Sequence, residues 1–299
     1  MIQIEQVRKK FEKSLVLENV NLTVKKGSIY GLLGSNGAGK TTLLKAIAGI
    51  IKQDQGRVQI DGMPVFENSL LKERIVFIPD QLYFFSQSTT KQMASFYANM
   101  YPDWDQQRFE HIQQLLDLNP RAKIHKFSKG MQRQVAFWLA LCAKPDYFIL
   151  DEPFDGLDPV IRRKIKSWII QDVAERDMTV LVSSHNLQEV EDICDAIGVI
   201  HRGKLLIENS LDDLKSDTHK VQFAFKQEVD DSLFTKLEIV EKEQRGSVYI
   251  CVVRGSASEI EETIAAYHPV IFDLLPLTLE EIFIYEMEEA GYAIENILL

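Results

Sequence analysis

Residues 31–42 read GLLGSNGAGKTT, and within them Gly34, Gly39, Lys40 and Thr41 occupy the fixed positions of the spacing G-x-x-x-x-G-K-[ST]. Phosphate binding needs this composition. Glycines let backbone N–H groups turn inward around phosphate oxygens, where a Cβ would block the approach. A lysine at position 40 reaches the β- and γ-phosphates of a nucleoside triphosphate, and the Thr41 hydroxyl binds Mg²⁺. The helix expected to start near Lys40 directs its positive end at the same anion. Ser35, Asn36, Gly37 and Ala38 form the turn ahead of Gly39, and Thr42 follows Thr41 into the helix. Taken alone, the motif implies nucleotide binding and nothing about how the energy is used.

The second acidic element is YFILDEP, in which Tyr147, Phe148, Ile149 and Leu150 predict a buried strand ending at Asp151 and Glu152. Open α/β sheets bind ligands at the carboxyl ends of their strands. Asp151 is therefore placed to hold Mg²⁺ through water, and Glu152 to act as general base on an attacking water. An Asp-Glu-Pro sequence could equally start a helix, but the phosphate loop upstream argues against that.

The elements that must position these residues follow from the hydrophobic pattern. MIQIEQV, SLVLENVNLTV, SIYGLLG and RVQIDG read as strands, with the helical TTLLKAIAGII between the last two. From Thr89 to about Leu141 the pattern is mostly helical, broken at YPDWD and LNPRAK. Strand character returns in DYFILDEP, gives way to a helix around RRKIKSWIIQDV, and resumes in MTVLVSSH. Strands alternating with helices imply a parallel α/β core, and the helical block inserted in it reads as a subdomain at about 86–141. The polar run KSDTHK suggests a linker at 215–219. Beyond it, HKVQFAFK, a hairpin turning at Arg245-Gly246, a capped helix in SASEIEETIAAY and a second helix in TLEEIFIYEMEEAG suggest a small α+β unit over 220–299.

Composition narrows the function classes. Residues 1–219 hold 28 Lys+Arg against 28 Asp+Glu, whereas residues 220–299 hold 6 against 16, so the whole excess of −10 lies in the tail unit. An acidic unit argues against nucleic acid, whose phosphates need basic side chains to replace counterions. Cys142, Cys194 and Cys251 are far apart and form no CxxC pair, which fits free thiols in a reducing compartment. MIQIEQVRKKF has no continuous apolar segment of the signal-peptide type. The longest apolar stretch, Val135–Ala143, is less than half of the roughly 20 residues that cross a bilayer.

Three further motifs stand in order around these elements: KFSKGMQRQ at 126–134, FDGLDP directly after Asp151-Glu152-Pro153, and VLVSSH ending at His185. Together with the phosphate loop and YFILDEP they resemble the ABC ATPase family over residues 1 to about 214. The resemblance implies a P-loop NTPase core with an inserted helical subdomain, ATP and Mg²⁺ as ligands, ATP hydrolysis, and work as a homodimer or heterodimer beneath a separate membrane subunit. It places the chain in the cytoplasm, peripheral on the inner face of the cell membrane. Phe11 corresponds to the aromatic that stacks on adenine. Ser128, Lys129, Gly130 and Met131 correspond to the signature, whose hydroxyl and glycine N–H meet the γ-phosphate held by the other protomer. His185 corresponds to the residue that contacts the γ-phosphate and aligns the water, and Asp158 to the carboxylate that links the two sites across the dimer.

One position departs from the family pattern. The family has Gln after a short apolar strand and Pro, whereas IVFIPDQ puts Asp80 after Pro79 and Gln81 one residue later. Either Asp80 substitutes near the metal, or a one-residue shift presents Gln81. Next come Tyr83, Phe84 and Phe85, in the region where such motors receive the membrane subunit; the alternative is that they fill the helical subdomain's core. The SKGM signature, YPDWD and TLEEIFI resemble the bacterial export-type branch, assigned to drug or peptide export and acetoin utilisation. A non-transport ABC ATPase would need a long coiled-coil insertion or a second cassette, and a P-loop kinase would not need the signature and His185 series.

Overall fold

The computed structural model describes residues 1–216, 218–226, 232–278, 280–282 and 284–285. Its contacts divide the chain into Met1–Glu208 and Asn209–Leu299.

The first unit opens with a hairpin. Strands β1 (Ile2–Phe11) and β2 (Ser14–Val24) are joined by a turn at Glu12-Lys13, too short for anything but antiparallel pairing. The chain then enters β3 (Ile29–Leu33), turns through the glycine loop into helix α1 (Lys40–Ile47), and returns through β4 (Gln55–Ile60) and β5 (Met63–Pro64). Strand β4 pairs antiparallel with β1, giving a four-stranded sheet of order β2-β1-β4-β5. The strand–helix alternation in the sequence thus hides two sheets rather than one: β1–β2 and β4–β5 are hairpins, and β4, reached after β3 and α1, pairs antiparallel with β1 instead of joining β3.

The remaining elements are α2 (Ser69–Lys72), β6 (Ile75–Ile78), α3 (Thr90–Met100), α4 (Gln106–Leu116), α5 (Lys129–Cys142), β7 (Tyr147–Asp151), α6 (Pro159–Arg176), β8 (Thr179–Ser184), α7 (Leu187–Glu191), β9 (Ala196–His201) and β10 (Lys204–Ser210). The central sheet has the order β10-β9-β3-β8-β7-β6, with parallel pairing from β9 through β6. Strands β3, β7 and β8 are buried at every residue, as expected of strands covered on both faces. Helix α1 lies in one core with Leu17, Ile60, Leu32, Ile149 and Ile200 from both sheets, so the end of the phosphate loop is anchored from two sides.

The inserted helices are built from caps and aromatics. Thr89 and Gln92 close a capping box on α3, Asp105 caps α4 and Ser128 caps α5. The apolar run Val135–Ala143 is the buried half of α5. Trp138 stacks on Phe109 of α4 at 4.5 Å and donates Nε1–H to the Phe109 carbonyl at 2.9 Å. Among the described residues no helix is long and apolar enough to cross a membrane.

The second unit contains α8 (Leu211–Ser216), β11 (Thr218–Ala224), α9 (Ser232–Thr235), β12 (Glu238–Arg245), β13 (Val248–Arg254), α10 (Ala257–Ala265) and β14 (Ile271–Leu275). Of the segment read as a linker, 215–219, residues 215–216 end α8 and 218–219 open β11, and the contacts divide the chain earlier, after Glu208. A helix end and a strand start can be as polar as a linker. The antiparallel sheet has the order β12-β13-β11-β14, and its hairpin turns through Gly246 at φ 66°. Val221, Phe223, Leu233, Cys251, Ile260 and Ile264 make a separate core. The helix read over TLEEIFIYEMEEAG lies largely outside the described residues.

Candidate active site

The glycine loop leaves β3 and closes on α1 through Gly39, whose φ of 114° is open to glycine and strained for any other residue. A Cβ there would also stand 3.0 Å from the Val16 carbonyl. The loop borders a cavity of about 230 Å³ lined by Ser35, Asn36, Gly37, Gly39, Lys40, Thr41 and Thr42, with Val16, Asp80 and Glu152 completing the wall. Ala38 is buried behind it.

Strand β7 carries Asp151 and Glu152 to the same place. Lys40 Nζ lies 3.0 Å from Glu152 Oε1 and also donates to the carbonyls of Gly34 and Ser35, at 2.5 and 3.3 Å. His185 Nδ1 lies 2.9 Å from Glu152 Oε2. The catalytic carboxylate of the sequence reading therefore stands between the phosphate-loop lysine and the histidine at the end of β8. Lys40 and Glu152 are buried, whereas the His185 side chain is 49% exposed. Glu152 holds φ 45°, a left-handed conformation that a non-glycine residue keeps only when its surroundings over-determine it. They do: its N–H donates to Ser183 Oγ at 3.0 Å, and its carbonyl accepts from Arg133 Nη1 at 2.6 Å.

Ser183 also donates to Asp151 Oδ1 at 2.7 Å. Asp151 is 1% exposed, and its Oδ2 is buried without a hydrogen-bond partner. A buried carboxylate oxygen with no donor is costly unless something else occupies it, and hard cations take oxygen ligands. The residues fit Mg²⁺.

The signature residues lie elsewhere. Ser128 is exposed and accepts from the Met131 N–H at 3.2 Å as the cap of α5, outside its own chain's phosphate cavity. Gly130 packs on the loop after β7: a Cβ would come within 2.5 Å of the Gly156 carbonyl, so this position requires glycine for reasons internal to the chain. Lys129 lines a neighbouring cavity of about 470 Å³ with Gln81, Arg133, Asp155 and Gly156. Asp80 faces both cavities, and Gln81 only the second. Asp158 Oδ1 caps α6, accepting from Val160 and Ile161 N–H at 3.1 and 3.0 Å. Phe11 is 46% exposed beneath Lys9, whose Nζ is 5.3 Å from the ring centre, and does not line the phosphate cavity.

Sequence reasoning missed Arg133, Ser183 and Asp155, whose carboxylate lies within 4.8 Å of the ligand atoms of both Glu152 and His185. For the first two a signal existed: a serine inside the apolar VLVSSH strand, and an arginine one turn before the apolar half of α5.

A phosphate loop, a strand-end Asp-Glu pair, a histidine on the neighbouring strand and a capped signature helix on this α/β core define an ATP-binding cassette. The chain belongs to the ABC transporter family as an ATP-binding subunit that hydrolyses ATP. The family model described as ABC transporter matches residues 17–155. The ATP-binding protein YtrB of Bacillus subtilis is 33% identical over 284 residues, covering 95% of this chain and 97% of that protein. The bacitracin transport ATP-binding protein BcrA of Bacillus licheniformis is 33% identical over 223 residues, covering 74% of this chain and 73% of its own. The dimeric structure of MJ0796, a bacterial ABC transporter cassette, superposes with a TM-score of 0.65 at 23% identity, over 71% of this chain and 99% of that one. ABC cassettes dimerise and partner with membrane subunits.

Proposed function

We propose that this subunit powers export through a separate membrane protein, with Glu152 as general base and ATP-driven dimerisation as the working stroke. The carrying observation is the row Lys40–Glu152–His185 over the glycine loop. Without nucleotide, the Lys40 ammonium neutralises the base. A triphosphate entering the loop offers Lys40 a stronger partner, so binding releases Glu152 for catalysis. Water then attacks the γ-phosphorus, the bond to the β-bridging oxygen breaks, and the water proton passes to Glu152. His185 holds the γ-phosphate and the water in line, and Phe11 stacks on the adenine. Thr41 and Asp151 would hold Mg²⁺, which supplies charge neutralisation on the phosphate oxygens when bound, while the Asp80 carboxylate at the cavity wall faces Arg133.

Ser128, Lys129, Gly130 and Met131 serve the γ-phosphate of the opposite protomer, and Asp158 links the two sites. The partner cassette is a second copy of this chain or another ABC ATPase. Relatives such as the bacitracin transport protein support a role in transport. Residues 1–208 are the motor and 209–299 an accessory unit.

The test is Glu152→Gln. Turnover should fall 10²–10⁴-fold, the usual loss of a general base, while ATP binding persists. With hydrolysis blocked, size-exclusion chromatography in MgATP should show a dimer. Undiminished turnover would remove Glu152 from the role.

A further inference from the structure

The guanidinium of Arg133 is buried in the second turn of α5 and makes a fork. One arm donates to the Glu152 carbonyl at 2.6 Å; the other donates to the Asp80 carbonyl at 2.7 Å and lies 3.4 Å from Asp80 Oδ1. We infer that Arg133 is a positioning residue for hydrolysis, tying the loop that carries Asp80 to the backbone of Glu152 and neutralising the carboxylate at position 80. The inference rests on Glu152 being the base.

Three features support it. Glu152 sits at φ 45° and needs both its N–H and its carbonyl held; Ser183 holds one and Arg133 the other. Asp80 shares the phosphate cavity with Glu152, where an uncompensated second carboxylate would repel a triphosphate. The same guanidinium supplies the charge and the carbonyl contact, which a lysine could not do, since an ammonium lacks the planar two-armed geometry. Third, Asp80 stands three residues before Tyr83, which is 84% exposed. A load applied to that surface reaches the Glu152 peptide through a short stretch of chain and one side chain.

The experiment is a double-mutant cycle on the full chain, with Arg133→Gln, Arg133→Lys, Asp80→Gln and Asp80→Gln combined with each. Steady-state kcat and KM for MgATP and the melting temperature are read for every variant. Arg133→Gln should cut kcat about tenfold or more with KM changed less than about threefold, the pattern of an interaction that matters in the transition state. Arg133→Lys should also lower kcat, because the charge stays and the fork is lost. Asp80→Gln should restore much of kcat to Arg133→Gln without restoring its melting temperature, a coupling of about fivefold or more. A merely structural arginine would lower the melting temperature and leave the effects on kcat multiplicative; that result, or Arg133→Lys at parental kcat, overturns the tie. Should Arg133→Gln fail to fold, Arg133→Lys decides alone: a lowered kcat at little-changed KM and melting temperature supports the tie, and a parental kcat overturns it. Glu152→Gln is assayed alongside: retained turnover there removes the base, whereas lost turnover with a multiplicative cycle overturns the role of Arg133 alone.

Discussion

Glu152, the proposed general base, also carries backbone strain, at φ 45°. Its carboxylate is held between Lys40 and His185 while its backbone is held by Ser183 and Arg133. The residue types at 40, 151, 152 and 185 were legible because phosphate and proton chemistry permits few alternatives. Ser183 and Arg133 stand out only as polar residues at apolar runs, and their roles were not legible, because a hydroxyl and a guanidinium acquire them through contacts between distant segments. The same limit applies to Gly130. In a helix, Gly→Ala ordinarily gains up to about 1 kcal/mol; here the new Cβ meets the Gly156 carbonyl at 2.5 Å. Overpacking against backbone typically costs 1–3 kcal/mol. Gly130→Ala should therefore lower the melting temperature, and a neutral or raised value would show that the loop yields freely.

A second residue gives a pH dependence. Burial raises the Asp61 pKa, but hydrogen bonds from the Met1 ammonium, Tyr147 and Arg74 outweigh it and hold the carboxyl at about 2. A depressed carboxyl contributes stability above its unfolded pKa near 4 and loses it as pH falls through 2. Asp61→Asn should cost about 1–2 kcal/mol at pH 7, after allowing for solvent screening of a side chain one-third exposed, and almost nothing near pH 2. Urea unfolding at the two pH values measures the difference; equal losses at both would mean the network has no charge-dependent worth.

At the scale of elements, strands and helices were readable from period, caps and apolar runs, while sheet membership was not. Strands β1 and β4 alternate apolar with polar residues whereas β3 and β7 are almost continuously apolar, a sign of one-sided burial that separates the two sheets but does not give their partners. The aromatic stretch after β6 was ambiguous because exposure is invisible in sequence. Tyr83 is 84% exposed and Phe85 51%, and Phe85 meets Phe96 edge-on at 5.0 Å, leaving an apolar patch on the helical insertion. Such patches mark partner surfaces. Replacing Tyr83 and Phe85 together by Ala should leave nucleotide affinity intact and shift the melting temperature little, while abolishing stimulation of the ATPase by the membrane subunit in proteoliposomes. A loss of 3–5 kcal/mol, typical of buried Phe→Ala, would return these residues to the core.

At the scale of the whole chain, the question is what residues 209–299 contribute. Their core of Val221, Phe223, Leu233, Cys251, Ile260 and Ile264 is closed on itself, and the excess charge of the chain lies within 220–299. The groups proposed for hydrolysis all precede residue 186, so a chain ending after Ser210, which preserves all of β10, should still fold and bind MgATP. We propose that the acidic unit serves contact, either with its twin across the motor dimer or with a regulatory partner, and the first of these is tested by salt. Two like-charged surfaces repel over a Debye length of about 10 Å at 0.1 M salt and about 3 Å at 1 M. Dimerisation of Glu152→Gln full chain in MgATP should therefore strengthen between these salt concentrations, and the truncated Glu152→Gln chain should lose that dependence. Analytical ultracentrifugation reads both. A truncated chain that cannot bind nucleotide would make the second unit integral to the motor, and an identical salt response in the two chains would remove it from the dimer contact.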